Sequence, residues 1–206
     1  MSVDFPAIPI RPLSGEERFT DTNAVEPLPI TVLDFWRWSS SDLVGNINRG
    51  VLAEYLVASA VAATDRPRDP WAPFDVETPD GVTVEVKSAA YLQAWDQRAL
   101  SKVQFGVKAT RSMTGDPIRD AVASRRSAVW VFALLHHQKQ RSLNPLDVAQ
   151  WGFYVAPTWF LDQRTRSQHS ITLRSLEASP FGRRYAWAEL GEAIANAARL
   201  KAPDTY

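Results

Sequence analysis

Residues 74–87 read FDVETPDGVTVEVK, two short alternating segments on either side of a turn. Pro79 favours the second position of a type I turn, and Gly81 accepts the left-handed conformation that ends a three-residue hairpin loop. This turn predicts a β-hairpin in which Thr78 pairs with Val82. The register decides the fold, because a slip by one residue would exchange the two faces of both strands.

The alternation separates an apolar face of the hairpin from a polar one. The apolar face holds Phe74, Val76, Val82, Val84 and Val86, and the polar face holds Asp75, Glu77, Thr83, Glu85 and Lys87. The register puts Asp75 opposite Glu85, with Cβ atoms about 4.5–5.5 Å apart. Facing like charges destabilise a strand pair, and a hard divalent cation with oxygen ligands removes that penalty. Lys87 projects to the same side as Glu85 and could act on a water or on charge developing at a phosphate.

We interpret these three residues as a candidate metal and catalytic site. The competing interpretation is the solvated polar face of an amphipathic hairpin, because Glu-x-Lys triplets are common.

A carboxylate on the preceding helix is a further candidate. We expect this helix to run from Asn46 or Asn48 to Ala63, with Glu54 on or beside an apolar stripe. The stripe consists of Ile47, Val51, Tyr55, Ala58 and Val61. A carboxylate on a core-facing stripe is costly unless it is paired or bound to a metal. Alternatively, Glu54 lies at the edge of the stripe and reaches solvent, or pairs with Arg49 across a helical turn.

The order of the predicted elements is typical of a mixed α/β domain with a largely antiparallel beginning. Residues 1–30 contain five prolines and read as an extended arm, and residues 31–206 read as one domain. A helix is predicted over 31–43 and an Ala-rich helix over 185–200. Beyond the hairpin, strands are predicted over 103–107, 128–135, 152–155 and 171–173.

The composition excludes several classes of site. The chain has 206 residues and no cysteine, so disulfides, thiolate zinc sites and cysteine nucleophiles are excluded. The N-terminus does not read as a signal peptide, and the longest apolar stretch, 128–135, is too short to cross a bilayer. These features lead us to expect a cytoplasmic protein without a membrane partner.

Charge is unevenly distributed although the net charge is zero. Residues 1–97 hold 7 Lys and Arg against 15 Asp and Glu, whereas residues 98–141 hold 9 against 2. A basic segment that follows an acidic one suits a metal site beside a phosphate-binding surface. The two could equally neutralise each other within the fold.

The candidate residues resemble the signature of the PD-(D/E)XK, or restriction-endonuclease-like, nucleases. That signature is a helix Glu, a Pro-containing approach to Asp, and Glu-x-Lys on the next strand. Here it reads Glu54, Pro73-Phe74-Asp75 and Glu85-Val86-Lys87, with Phe74 as a departure between Pro and Asp. Residues 48–54 also look like the Arg-Gly-x-x-x-Glu start of archaeal Holliday-junction resolvases. The match covers residues 48–95.

The resemblance implies a restriction-endonuclease-like core, an α/β fold with a mixed central β-sheet flanked by helices. It implies a DNA endonuclease that uses Mg²⁺, with Mn²⁺ as a substitute, in restriction or defence, or in junction or repair cleavage. Asp75 and Glu85 would bind the metal with the Val86 carbonyl as an additional ligand, Glu54 would complete or orient the metal shell, and Lys87 would serve the attacking water.

DNA would be contacted by residues that follow the hairpin. If the second strand continues to Trp95, then Lys87, Tyr91, Gln93 and Trp95 share a face, and Gln93 would extend the site toward nucleotides. Lys102, Lys108 and Arg111 are the expected phosphate contacts because they come soonest after the hairpin. A homodimer would suit double-strand cleavage. The alternative function is a non-catalytic nucleic-acid-binding or protein-interaction module on the same fold.

Overall fold

The structure is a computed structural model that describes residues 8–110, 123–164 and 169–203. Its strands are β1 (Val76–Glu77), β2 (Thr83–Ala90), β3 (Gln104–Gly106), β4 (Val129–Leu135), β5 (Trp151–Pro157) and β6 (Ser170–Thr172). Its α-helices are α1 (Val32–Ser40), α2 (Asn46–Ala60), α3 (Thr158–Asp162), α4 (Leu173–Glu177) and α5 (Leu190–Arg199). Short 3-10 turns cover Gln140–Ser142, Val148–Gln150 and Trp187–Glu189.

The hairpin forms in the predicted register. Gly81 has φ +79° and donates its N–H to the Thr78 carbonyl at 2.8 Å, which closes the turn. The Thr78 N–H in turn donates to the Val82 carbonyl at 2.9 Å. Beyond the turn, Glu77 pairs with Thr83 and Val76 with Val84, where the ladder ends. Asp75 precedes this ladder directly and donates its N–H to the Val84 carbonyl at 3.1 Å, which keeps it beside the strand segment that holds Glu85.

The central sheet of the described chain has four strands in the order β1-β2-β4-β5. The outer pairs are antiparallel, and β2 pairs in parallel with the whole of β4 through its residues 84–90. All seven residues of the central strand β4 and all seven of the edge strand β5 are buried, so the sheet is covered on both faces at these strands. The prediction of a mixed α/β fold with a mixed sheet flanked by helices is confirmed.

Each face of this sheet has its own core. Helices α2 and α5 cover one face and pack against a cluster that includes Val84, Val86, Val131 and Phe153. The opposite face is covered by the small β3-β6 sheet with α3 and α4, around Phe132. Glu85 and Lys87 pair with Trp130 and Phe132 of β4, so they lie on this second face, away from α2.

The predicted apolar stripe of α2 is wrong at its first three positions, whereas its last two, Ala58 and Val61, pack against the core. Ile47 is 83% exposed, and Val51 and Tyr55 are exposed as well. The helix instead buries Arg49, Ala53, Leu56 and Val57 against the sheet. Apolar residues surround much of this helix, so the spacing alone supports two stripes. The small residue Ala53 allows α2 to approach the sheet closely, and this approach selects the second stripe.

The N-terminal segment folds on itself. The Val32 N–H donates to the Glu17 carbonyl at 2.9 Å, and the Leu33 N–H donates to the Gly15 carbonyl at 2.9 Å. Thr31 caps α1 in a capping box with Asp34. None of the α1 residues is buried within the described part of the chain, and Trp38 is 85% exposed. In the same described ranges, no helix is long and apolar enough to cross a membrane.

A glycine contact between α2 and α5 provides a test of this packing. A Cβ on Gly191 would lie 2.8 Å from the Ala60 carbonyl oxygen of α2, whereas a Cβ on Gly50 would meet nothing within 4 Å. Gly191→Ala should therefore destabilise the protein by about 1–3 kcal/mol through overpacking. Gly50→Ala, the matched control, should stabilise it by about 0.5–1 kcal/mol through helix propensity. Urea denaturation measures both, and equal effects of the two variants would contradict the packing described.

Candidate active site

The hairpin brings Asp75, Glu85 and Lys87 together. The Lys87 Nζ donates to Glu85 Oε1 at 2.6 Å, and the Val86 N–H donates to Asp75 Oδ2 at 2.7 Å. The latter bond holds the Asp75 carboxylate across the strand at the level of Glu85. Ser127, which is buried just before β4, donates its hydroxyl to Glu85 Oε2 at 3.3 Å. Both oxygens of Glu85 therefore have partners.

Electrostatics at Glu85 show an incompletely compensated charge. Burial raises the pKa of the Glu85 carboxyl, and the facing Asp75 charge raises it further, although Lys87 and Ser127 act in the opposite direction. The net shift is upward. One ammonium group thus does not fully offset the cost of placing this carboxylate in the half-buried hairpin beside Asp75.

Trp130 forms the neighbouring wall of the site. It pairs with Glu85 in the β2-β4 register, and its ring centroid lies 5.7 Å from the Lys87 Nζ, within cation–π range. The side chain is 3% exposed, and its Nε1 has no hydrogen-bond partner in the described structure. Lys87 is therefore held between a carboxylate and an aromatic face.

Glu54 is half-buried and paired with Arg68. Arg68 lies in the exposed segment between α2 and β1, and its guanidinium donates two hydrogen bonds to Glu54, from Nε to Oε2 and from NH2 to Oε1, the latter at 3.1 Å. These bonds and the charges of Glu54 and Asp75 raise the Arg68 pKa. Arg68 thus compensates the negative charge of Glu54 on this helix. The charge of Arg68 also interacts with that of Asp75 in the hairpin.

Arg49 does not pair with Glu54. Its buried guanidinium donates to Ser88 Oγ at 3.1 Å, to Gln93 Oε1 at 3.1 Å and to Asn46 Oδ1 at 2.6 Å. A fourth bond goes to the Val44 carbonyl at 2.9 Å. Arg49 therefore fastens the start of α2 to the end of β2, and burial lowers its pKa.

Gln93 lies in this network rather than on a continued strand. The expectation that β2 extends to Trp95 is wrong, because the strand ends at Ala90 and the chain turns into a loop. The Gln93 amide donates to the Ala90 carbonyl at 2.9 Å and to Ser101 Oγ at 3.2 Å. Lys87 and Gln93 therefore do not share a strand face, and contact between Gln93 and nucleic acid stays a prediction.

The basic segment is only partly described. Lys102 and Lys108 are exposed and flank β3, which packs on the sheet face that carries Lys87. Arg111 lies outside the described residues. Arg125, by contrast, donates to Asp162 at 2.6 Å and to the Val107 carbonyl at 2.8 Å, so part of the positive charge serves the fold.

The donor set suits a hard cation in part. Mg²⁺ prefers one or two carboxylates together with water and phosphate oxygens, and Asp75, Glu85 and the Val86 carbonyl supply oxygens of this kind. Glu54 differs because the guanidinium of Arg68 holds both of its oxygens, and this charge would have to be displaced before a metal ion could bind there. Accordingly, no group of three or more Asp, Glu, His or Cys side chains in the described residues is arranged to hold a metal ion.

Comparison with models of known protein families gives no match to this chain, and a search of curated protein sequences gives none either. The resemblance to PD-(D/E)XK nucleases thus depends on the motif residues alone.

Sequence reasoning missed three residues of the site. Arg68 lies in a proline-rich loop, where a single arginine gives no signal of its target. Ser127 and Trp130 precede and begin β4, and only the parallel pairing of β2 with β4 brings them to Glu85. A pattern within one strand cannot reveal a neighbour that is 42 residues away in the chain.

Arg68 should compete with a metal ion for Glu54. Arg68→Ala should raise Mn²⁺ affinity roughly tenfold, because a charged hydrogen bond worth about 1.5 kcal/mol no longer has to be broken. Isothermal titration calorimetry measures this, and Arg66→Ala is the matched control because Arg66 is exposed in the same loop. If both variants bind Mn²⁺ as the wild type does, Glu54 is not a ligand for which Arg68 competes.

Proposed function

We propose that this protein is a metal-dependent endonuclease that hydrolyses DNA phosphodiester bonds with Mg²⁺. The observation that carries the proposal is the geometry of the hairpin: the Asp75 carboxylate accepts the Val86 N–H at 2.7 Å, close enough to Glu85 to act on its charge, and Lys87 lies against Glu85 at 2.6 Å. Carboxylates that face each other without full compensation are costly to a fold, and functional sites are where such costs are tolerated. A divalent cation between them would remove the cost.

The chain's own residues divide the chemistry between them. Asp75 and Glu85, with the Val86 carbonyl, would hold Mg²⁺, which when bound would neutralise charge on the phosphate and polarise the attacking water. Lys87 has three N–H donors and spends one on Glu85, so it can also hold that water or a phosphate oxygen. Trp130 and Glu85 fix the ammonium group from two sides.

The remaining parts of the proposal follow from this activity. The fold would have a restriction-endonuclease-like core, with Glu54 completing the metal shell once Arg68 releases it. Exposed Lys102 and Lys108 would contact phosphates, and the protein would act in the cytoplasm. A homodimer would serve double-strand cleavage, and the exposed apolar residues Ile47 and Val51 of α2 offer a surface for it.

Metal binding should stabilise the protein through the facing carboxylates. At about 100 times its dissociation constant, Mn²⁺ should add ~2.7 kcal/mol to the free energy of unfolding of the wild type. Glu85→Gln should lose this gain. The same variant should melt at a higher temperature than the wild type in EDTA, because the raised pKa shows that the ionised carboxyl is disfavoured in the fold. Thermal melts with and without metal test both statements, and an identical metal response in the variant would exclude Glu85 as a ligand.

Lys87 should be needed for cleavage but not for folding. Lys87→Ala should abolish Mg²⁺-dependent nicking of a supercoiled plasmid, because the ammonium acts on charge that develops during the reaction. Its fold should survive, since the hairpin's core face is built from Val84 and Val86 on the other side of the strand. Agarose gels record nicking, and circular dichroism records folding.

Lys201→Ala is the control for loss of one exposed lysine, and it should nick as the wild type does. Wild-type nicking by Lys87→Ala would remove Lys87 from the mechanism. Unfolding of that variant would instead favour a structural ion pair with Glu85. A wild-type chain that nicks no DNA with Mg²⁺ or Mn²⁺ would overturn the proposed activity.

One observation favours protein interaction as a second candidate function. Helix α1 buries no residue within the described chain, and it exposes Phe35 and Trp38 beside the exposed Leu33. Exposed apolar patches of this kind are typical of surfaces that bind other proteins. Retained plasmid nicking after removal of Trp38 would separate this surface from the nuclease site.

A further inference from the structure

A cavity of about 400 Å³ lies beyond the C-terminal end of β2. Its walls come from the loop between β2 and β3 and from the 3-10 turn after β4. The residues that matter to its chemistry are Leu92, Trp95, Asp96, Arg98 and Gln140. Because β2 and β4 run parallel, the cavity lies at the carboxyl edge of adjacent parallel strands, where open α/β sheets bind ligands.

The loop that forms this cavity is held in one shape by hydrogen bonds. The Gln97 amide donates to the Tyr91 carbonyl at 3.2 Å and to Ser101 Oγ at 3.0 Å, and its oxygen accepts the Gln93 N–H at 2.7 Å. Gln93 is in turn bound to the buried guanidinium of Arg49. The cavity is therefore preorganised, which reduces the ordering cost of binding.

The groups that line the cavity suit one nucleotide. Trp95 is 56% exposed and offers an indole face for stacking on a base. Arg98 is exposed and forms no ion pair or hydrogen bond with the residues described, so it is available to a phosphate. Asp96 and the Gln140 amide add polar groups that could pair with the edge of a base.

The position of the cavity relative to Lys87 fits a nucleotide near the scissile phosphate. Lys87 precedes the end of β2 by three residues, about 10 Å of strand. That length equals about three nucleotide steps of a stacked strand at 3.4 Å each. Tyr91 and Val103, at the two ends of the loop, pack on the sheet face that carries Lys87, so cavity and site are on the same side.

We propose that this cavity binds an unpaired nucleotide, with its base stacked on Trp95 and its phosphate at Arg98. This inference rests on the proposed nuclease function for the role of the site, but the binding itself does not require cleavage. A base in an intact duplex is stacked on both faces and cannot also stack on an indole. The substrate class is therefore DNA or RNA with a single-stranded segment next to the cleaved bond.

Fluorescence anisotropy of a labelled ten-nucleotide single strand, measured in EDTA, tests the cavity without catalysis. Trp95→Ala should weaken binding about five- to hundredfold, which corresponds to the free energy of stacking one base on an aromatic side chain. Trp95→Phe should recover most of the affinity because it keeps an aromatic face. Trp38→Ala, which removes another exposed tryptophan, should bind as the wild type does. Arg98→Ala should flatten the dependence of log affinity on log salt by about 0.7.

A blunt duplex of the same sequence and an RNA strand complete the experiment. The duplex should bind no more weakly to Trp95→Ala than to the wild type. Trp95→Ala should weaken binding of the DNA strand, of the RNA strand or of both, and this outcome identifies the sugar that the cavity accepts. Equal single-strand affinities for Trp95→Ala and Trp38→Ala would overturn the inference, as would a wild type that binds no single strand. Plasmid nicking decides the nuclease proposal separately, so either proposal can fail without the other.

Discussion

A three-residue turn, Pro79-Asp80-Gly81, is the constraint on which the site and much of the core depend. Gly81 adopts a left-handed conformation and closes the turn onto Thr78, which leaves β1 and β2 one register. In that register, valines of β2 enter the core beneath α2, and Glu85 and Lys87 enter the opposite face. A slip by one residue would turn Glu85 and Lys87 toward α2 and bury their charges in an apolar core, which is costly.

Strand β2 transmits this register to the rest of the molecule. Its parallel pairing with β4 sets Trp130 and Phe132 beside Glu85 and Lys87. Arg49 then ties the start of α2 to Ser88 near the strand's end. Because buried arginine needs several acceptors, this connection also fixes Gln93 and the loop that follows. The candidate site and the neighbouring cavity thus share one support, and a disturbance of Arg49 would reach both.

Charge compensation is the second theme of the site. Glu54 is neutralised by Arg68, and Glu85 is neutralised in part by Lys87. The Arg68 and Lys87 side chains are similarly exposed, at 41% and 35%, but Lys87 also lies within cation–π range of Trp130. The arrangement leaves the Glu85 charge only partly compensated and offers hard oxygen ligands to a metal cation. In the proposed reaction, a metal ion would displace Arg68 from Glu54, whereas Lys87 would stay beside Glu85.

Local chemistry in the sequence determined the hairpin, its register, the two faces and the run of buried strands, because turn residues and alternation act over a few positions. The mixed α/β class followed from the same patterns. Only the tertiary structure decided which stripe of α2 is buried, since apolar residues surround that helix and Ala53 permits a close approach that Ile47 and Tyr55 do not share. It also decided the end of β2 at Ala90 and the partners of Glu54 and Glu85. Arg68 reaches Glu54 from a loop, and the pairing of β2 with β4 brings Ser127 and Trp130 to Glu85. These contacts join residues that are far apart in the chain, which no local pattern relates.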